Sequence, residues 1–125
     1  MATYRVVPID GVLRLTLSGT VDLDASRALL LDIARDAQLQ DHGLLIDFRV
    51  AEGDMSYRDV HDLIGVLVEH PDSFDRRIAL LEDYNERFEK AQFFQAYATE
   101  RGFKVRAFVN EMAAVAWLEE GEDDD

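Results

Sequence analysis

Polar and apolar positions alternate through the first stretch of the chain, most regularly from Val12 to Ser18, where Leu13, Leu15 and Leu17 point one way and Arg14, Thr16 and Ser18 the other. A period of two marks a half-buried strand. The Asp10-Gly11 pair between Tyr4–Ile9 and Val12–Ser18 is a type I′ turn signal, so the chain is expected to open as a β-hairpin. Pro8 has no amide hydrogen to give to a ladder, which puts the first arm at a sheet edge.

From Asp22 the period lengthens. Ser26, Leu29, Leu30, Ile33, Ala34 and Ala37 recur at helical spacing, predicting a first helix capped by Asp22 and running to about Leu39. Asp41-His42-Gly43 breaks it, and Leu44-Leu45-Ile46 before Asp47-Phe48 is a short apolar run that fits a strand covered on both faces. Val50 to Met55 reads as loop. Ser56 is placed to cap a second helix through Glu69, with a buried stripe of Val60, Leu63, Ile64, Leu67 and Val68; Gly65 inside it costs roughly 1 kcal/mol unless close packing requires it. His70-Pro71 ends this helix. Ile78 to Leu81 is a further buried strand, Glu86 to Arg101 a third helix stopped by Gly102, Phe103 to Val109 a last strand, and Asn110 caps a final helix from Glu111 to Glu119. Alternating strands and helices with short connections imply parallel pairing through right-handed crossovers.

This order, with Ile46-Asp47 closing the third strand, Arg77-Ile78-Ala79 opening the next, and an ending of Phe108-Val109-Asn110 followed by Ala114, Trp117 and Leu118, resembles the SpoIIAA-like family, which shares the STAS and Sec14-type fold. The resemblance covers nearly the whole chain. It implies an α/β right-handed βα superhelix: an N-terminal hairpin, then alternating helices and strands in a mixed, mostly parallel five-stranded sheet with four helices. Residues 1–120 are expected to form one domain, and 121–125 a disordered acidic tail. Trp117 is expected to lock the last helix onto the sheet. The anti-sigma-factor antagonists of this fold carry Asp-Ser-Ser-Gly, with the second serine phosphorylated at the start of the second helix. Here the matching stretch is Asp54-Met55-Ser56-Tyr57, so the resemblance offers Ser56 as a phosphorylation site. Met55 and Tyr57 depart from the pattern, and Glu52, Asp54 and Asp59 would repel a phosphate, which leaves simple N-capping as the stronger reading.

Composition narrows the functional classes. A net charge of -13, from 26 acidic against 13 basic residues, repels phosphate backbones and anionic lipid, so neither nucleic acid nor a membrane surface is an expected partner. The acidic excess is read as a solubility device. Without cysteine there is no disulfide, thiolate metal site or cysteine nucleophile. Met1 to Ile9 has neither the basic nor the apolar region of a signal peptide, and no run approaches the ~20 apolar residues of a membrane helix. A cytoplasmic location is expected.

Candidate chemistry is sparse. Ligands of sheets of this kind meet the carboxyl ends of the strands, which gather Asp47 and Arg49, Glu82 and Asp83, and Asn110. These side chains either orient the polar head of a ligand at an apolar cleft or are solvated strand ends and turn caps. His42, His61 and His70 show no metal-ligand spacing, and no nucleophile elbow, phosphate loop or dinucleotide fingerprint is present, so no metal, cofactor or catalytic residue is assigned. On the third helix Phe88, Ala91, Phe94, Gln95 and Ala98 form one inward stripe, while Phe93 and Tyr97 widen the apolar arc; they serve either a broad core face or an interface. Two functions follow as expectations: a non-enzymatic regulatory or protein-interaction module, homodimeric or partner-binding, and alternatively a carrier or sensor of a small apolar or amphipathic ligand.

Overall fold

The computed structural model describes residues 2–9, 11–36, 43–53 and 55–122. Strands β1 (Thr3–Ile9) and β2 (Val12–Thr20) pair antiparallel, with Pro8 opposite Leu13 on the edge strand. The turn needs a residue with positive φ, and Gly11 supplies it at 83°. Asp10, the other half of the expected turn, lies outside the described residues, as do Ala37 to His42 at the end of the expected first helix, Asp54, and residues 123–125 of the expected tail.

Helix α1 (Leu23–Arg35) is capped by Asp22, whose carboxylate accepts from the amide of Ala25, and buries Ser26, Leu29, Leu30 and Ile33. Strand β3 (Gly43–Asp47) follows, then a strand β4 (Ala51–Glu52) inside the segment expected to be loop. The two residues of β4 pair parallel with Gly19 and Thr20, off the main path, so the sheet has six strands rather than the five expected. Helix α2 (Tyr57–Glu69) starts at Ser56, whose hydroxyl accepts from the amide of Asp59, and ends at His70. Its buried face holds Val60, Leu63, Ile64, Val66 and Leu67, while Val68 is 50% exposed, a correction to the expected stripe. No neighbour crowds Gly65, so close packing does not explain that glycine.

Strand β5 (Arg77–Leu81), helix α3 (Glu86–Glu100), strand β6 (Lys104–Phe108) and helix α4 (Glu111–Glu122) complete the chain. Asn85 caps α3 and Asn110 caps α4 through their side-chain carbonyls. The last helix runs beyond the Glu119 expected for its end.

The main sheet has the order β1-β2-β3-β5-β6, parallel except for the hairpin. Strand parity divides the core into two layers. Leu13, Leu15, Leu17, Leu44, Ile46, Ile78 and Leu80 join the buried faces of α1, α2 and α3 on one side; Phe74, in the loop after α2, is fully buried there. Val12, Leu45, Ala79 and Leu81 meet Ala114 and Leu118 of α4 on the other. Leu118 is 1% exposed, whereas Trp117 is only half-buried, lying against Phe108 with the Arg77 guanidinium 4.9 Å from its ring centre. Leu118, rather than the expected Trp117, is the side chain that α4 drives into the sheet.

Candidate functional site

The carboxyl ends of β3, β5 and β6 come together at one end of the sheet, but alternation sends their polar side chains to opposite faces. Asp47 pairs in register with Leu81 and shares its face, the one covered by α4. Glu82, one residue on, turns to the face covered by α1, α2 and α3. Asp47 and Arg49 therefore belong to one constellation and Glu82 to another.

On the α4 side, Asp47 is 3% exposed and fully engaged. Arg14 Nη2 donates to its Oδ2 at 2.8 Å, Arg49 Nη2 to the same oxygen at 2.9 Å, and Arg49 Nε to Oδ1 at 3.0 Å. Both arginines also reach Glu111 Oε1 at the start of α4, at 2.6 and 3.1 Å. Burial alone would raise the Asp47 carboxyl, but the hydrogen bonds from Arg49 and Arg14 outweigh it and hold it below its ordinary value. Arg49 is raised in turn, chiefly by its hydrogen bond to Asp47. Two cations and two carboxylates so paired leave little for a ligand; the cluster ties β2, β3 and α4 together. Arg14 and Glu111 were not singled out from sequence, because no short-range spacing joins them.

On the other face lies a cavity of about 110 Å³ between the sheet and the three helices. Its wall is almost wholly apolar, drawn from β3 and β5 (Ile46, Leu80), α1 (Leu29), α2 (Leu63) and α3 (Ala91, Phe94). Four polar side chains also line it: Ser26, Glu82, Arg87 and Lys90. Glu82 is 4% exposed. Burial pushes its carboxyl up from 4.5 to about 7, only partly offset by Arg87. The Arg87 Nη2 to Glu82 Oε1 distance is 3.3 Å, longer than the ion pairs around Asp47, and the Asp83 amide donates to the same oxygen at 3.2 Å. Arg87 also donates to the carbonyl of Ala51, which gives β4 a role in shaping this end of the cavity. The Ser26 hydroxyl lies 3.5 Å from the Met55 sulfur, a weak acceptor. Ser26 is legible in sequence only as part of the inward stripe of α1, and Arg87 and Lys90 not at all, because the path of α3 past Glu82 depends on tertiary packing.

Asp83 is exposed and bonds Glu82 through its amide. Ser56 is exposed at the α2 start. Phe93 and Tyr97 are half-buried: Phe93 meets Tyr57 edge-on at 5.0 Å, Tyr97 meets His61 at 4.9 Å, and the two rings are 4.6 Å apart, a seam that joins α2 to α3. His70 caps α2, and His42 lies outside the described residues. Among the described residues no cluster of three metal-ligating side chains occurs, and no helix is long and apolar enough to cross a membrane.

A mixed sheet opened by a hairpin, three helices on one face and a closing helix on the other, defines an α/β domain of the SpoIIAA-like fold. The chain superposes on an uncharacterized protein of the DUF3478 family with a SpoIIAA-like fold from Shewanella loihica, at a TM-score of 0.60 and 16% identity over 94% of this chain and 93% of that one. It is similar to an anti-sigma factor antagonist from Mycobacterium paratuberculosis (TM-score 0.61, 16% identity, 95% of each chain). It also resembles the anti-sigma factor antagonist SpoIIAA in its unphosphorylated form (TM-score 0.57, 13% identity, 94% of this chain and 98% of that one). No family model and no curated protein matches the sequence. At these identities the likeness concerns the fold.

Proposed function

We propose that this domain is a non-enzymatic binding module that holds a small, largely apolar ligand between its sheet and helices α1 to α3, and so acts as a carrier or sensor. The observation that carries this reading is the cavity of about 110 Å³, apolar over nearly all its wall and polar only at Ser26, Glu82, Arg87 and Lys90. An apolar void of ~150 Å³ stays dry and takes up benzene, so this one is of a size to hold a single ring or a short chain. A few polar groups within an apolar wall are the usual composition of a small-ligand site.

The test is uptake of benzene and cyclohexane, followed by ligand-observed NMR, with Ala91→Trp as a cavity-filled control. Saturable binding that the control abolishes supports the reading. Absence of saturable binding, or equal signal in the filled variant, overturns it.

A second reading, a protein-interaction module, is favoured by the apolar side chains exposed where β3, β5 and β6 end: Val50 (62%), Tyr84 (86%), Val109 (46%) and Met112 (82%). The anti-sigma factor antagonists named above support such a role by analogy of fold only. Under this reading Ser56, exposed and capping, is the residue whose phosphorylation would regulate docking, and the α3 rings Phe93 and Tyr97 act from within the α2–α3 seam. A homodimer is tested by light scattering on the wild type and on Tyr84→Ser with Met112→Ser; monomers in every sample count against it.

A further inference from the structure

The cavity has a polar end of defined chemistry. Glu82 leaves β5 into it, and α3 brings Arg87 and Lys90 to the same lining one turn apart, their side chains partly exposed. Of the two, Arg87 is the one that meets the buried carboxylate. Asp83 beside Glu82 is exposed, and Asp47 on β3 is engaged by Arg14 and Arg49. The Glu82–Arg87 contact of 3.3 Å is loose for a charge-assisted pair, which closes to ~2.7–2.9 Å when the geometry is good. Lys90 also rests over the Tyr57 ring at 5.5 Å, at the edge of the cavity rather than inside it.

We propose, resting on the binding reading above, that the ligand is a compact apolar monocarboxylate, a single ring or short chain bearing one carboxylate, whose head group pairs with Arg87 in place of Glu82 while its body fills the apolar wall. A carboxylate can take both amino groups of one edge of a guanidinium, a planar match that a hydroxyl or an amine cannot make. The displaced Glu82 then faces an apolar wall and a ligand anion, both of which favour its neutral form. Binding is therefore accompanied by proton uptake at Glu82 wherever that group is ionised in the free protein. Among the described residues, Arg87 and Lys90 on α3, Asp47 on β3 and the neighbouring Asp83 are charged groups around Glu82, and Arg87 is the one that the ligand engages.

The probes are hexanoate and benzoate, each set against its matched alcohol and amine (1-hexanol and hexylamine, benzyl alcohol and benzylamine), titrated by calorimetry into the intact chain at pH ~6 and pH ~8.5. Each carboxylate is expected to bind at least about tenfold more tightly than its alcohol at the lower pH, and to lose about tenfold or more between the two pH values as Glu82 must be reprotonated. Arg87→Met should remove the preference for carboxylate and leave alcohol binding in place. Glu82→Gln should keep carboxylate affinity and remove its pH dependence, which gives a second variant if Arg87→Met fails to fold. If the alcohols bind as tightly as the carboxylates, or if Glu82→Gln leaves the pH dependence unchanged, the assigned ligand class is wrong although the cavity still binds. If neither these probes nor benzene bind, the binding reading itself fails.

Discussion

Replacing Glu82 by glutamine should convert a pH-dependent stability into a flat one. The Glu82 carboxyl titrates at about 7 in the folded domain against 4.5 for an ordinary glutamate, so between those values the native state keeps a proton that the unfolded chain has released. Stability follows the proton difference between unfolded and native states, and for Glu82 that difference is negative, so the contribution of this group is greatest below pH 4.5 and falls as the pH rises toward 7. At ~1.4 kcal/mol for each pH unit, the whole fall is about 3 kcal/mol. Glutamine preserves the size and most of the hydrogen bonding without the ionisation, and therefore lacks this fall. Asp47 does not blur the comparison, because its lowered carboxyl contributes stability that is fully present above 3.8 and lost only on further acidification. Urea denaturation of both proteins at pH ~5 and pH ~8.5 should give a wild-type-minus-variant difference that changes by about 2–3 kcal/mol between the two conditions, in favour of the variant at high pH. A difference that stays constant within about 0.5 kcal/mol would mean that Glu82 is ionised in the folded protein throughout, and a buried, weakly paired carboxylate would be ruled out.

Other parts of the fold give sharper single-site tests. Leu118→Ala should cost about 3 kcal/mol by opening a void under α4, and Trp117→Ala only about 1–2 kcal/mol, since its ring is half-exposed; chemical denaturation reversing that order would restore Trp117 as the anchor. Asp47→Ala strands Arg14 and Arg49 against each other, without the buried carboxylate that both of them engage, and should cost about 3–5 kcal/mol in the same assay. Gly53 holds φ at 88°, and a methyl group there would stand 3.0 Å from the carbonyl oxygen of Val21, so Gly53→Ala should lose about 1–3 kcal/mol; a neutral result would show that the β2–β4 pairing yields easily.

Much of this architecture is legible because its signals are local. The Asp22, Ser56 and Asn110 caps lie within three residues of the amides they bond, and the apolar runs of β3 and β5 announce strands covered on both faces. The expectation failed where structure depends on what packs alongside. Val66 stands half a turn round α2 from Tyr57, on the flank away from the rings of α3, so its burial reflects a neighbour and not the periodicity of the helix itself. β4 is two residues long, too short for any period, and exists because Gly53 lets the chain run beside Val21, whose amide bonds the carbonyl of Glu52.

The same limit governed the site. Asp47, Arg49, Glu82 and Asp83 look alike in sequence, each just past an apolar run. Only the register, which sets Asp47 beside Leu81, reveals that Asp47 and Glu82 stand on opposite faces. Two carboxylates one register step apart thus reach opposite electrostatic ends. Asp47 is held below its ordinary value because two arginines reach it within 3.0 Å, and Glu82 is raised because it is buried in an apolar wall where one arginine at 3.3 Å offsets only part of that cost. A carboxylate saturated with partners serves the fold. The one left short of them, facing a cavity, holds its arginine so loosely that a ligand can still take that partner from it.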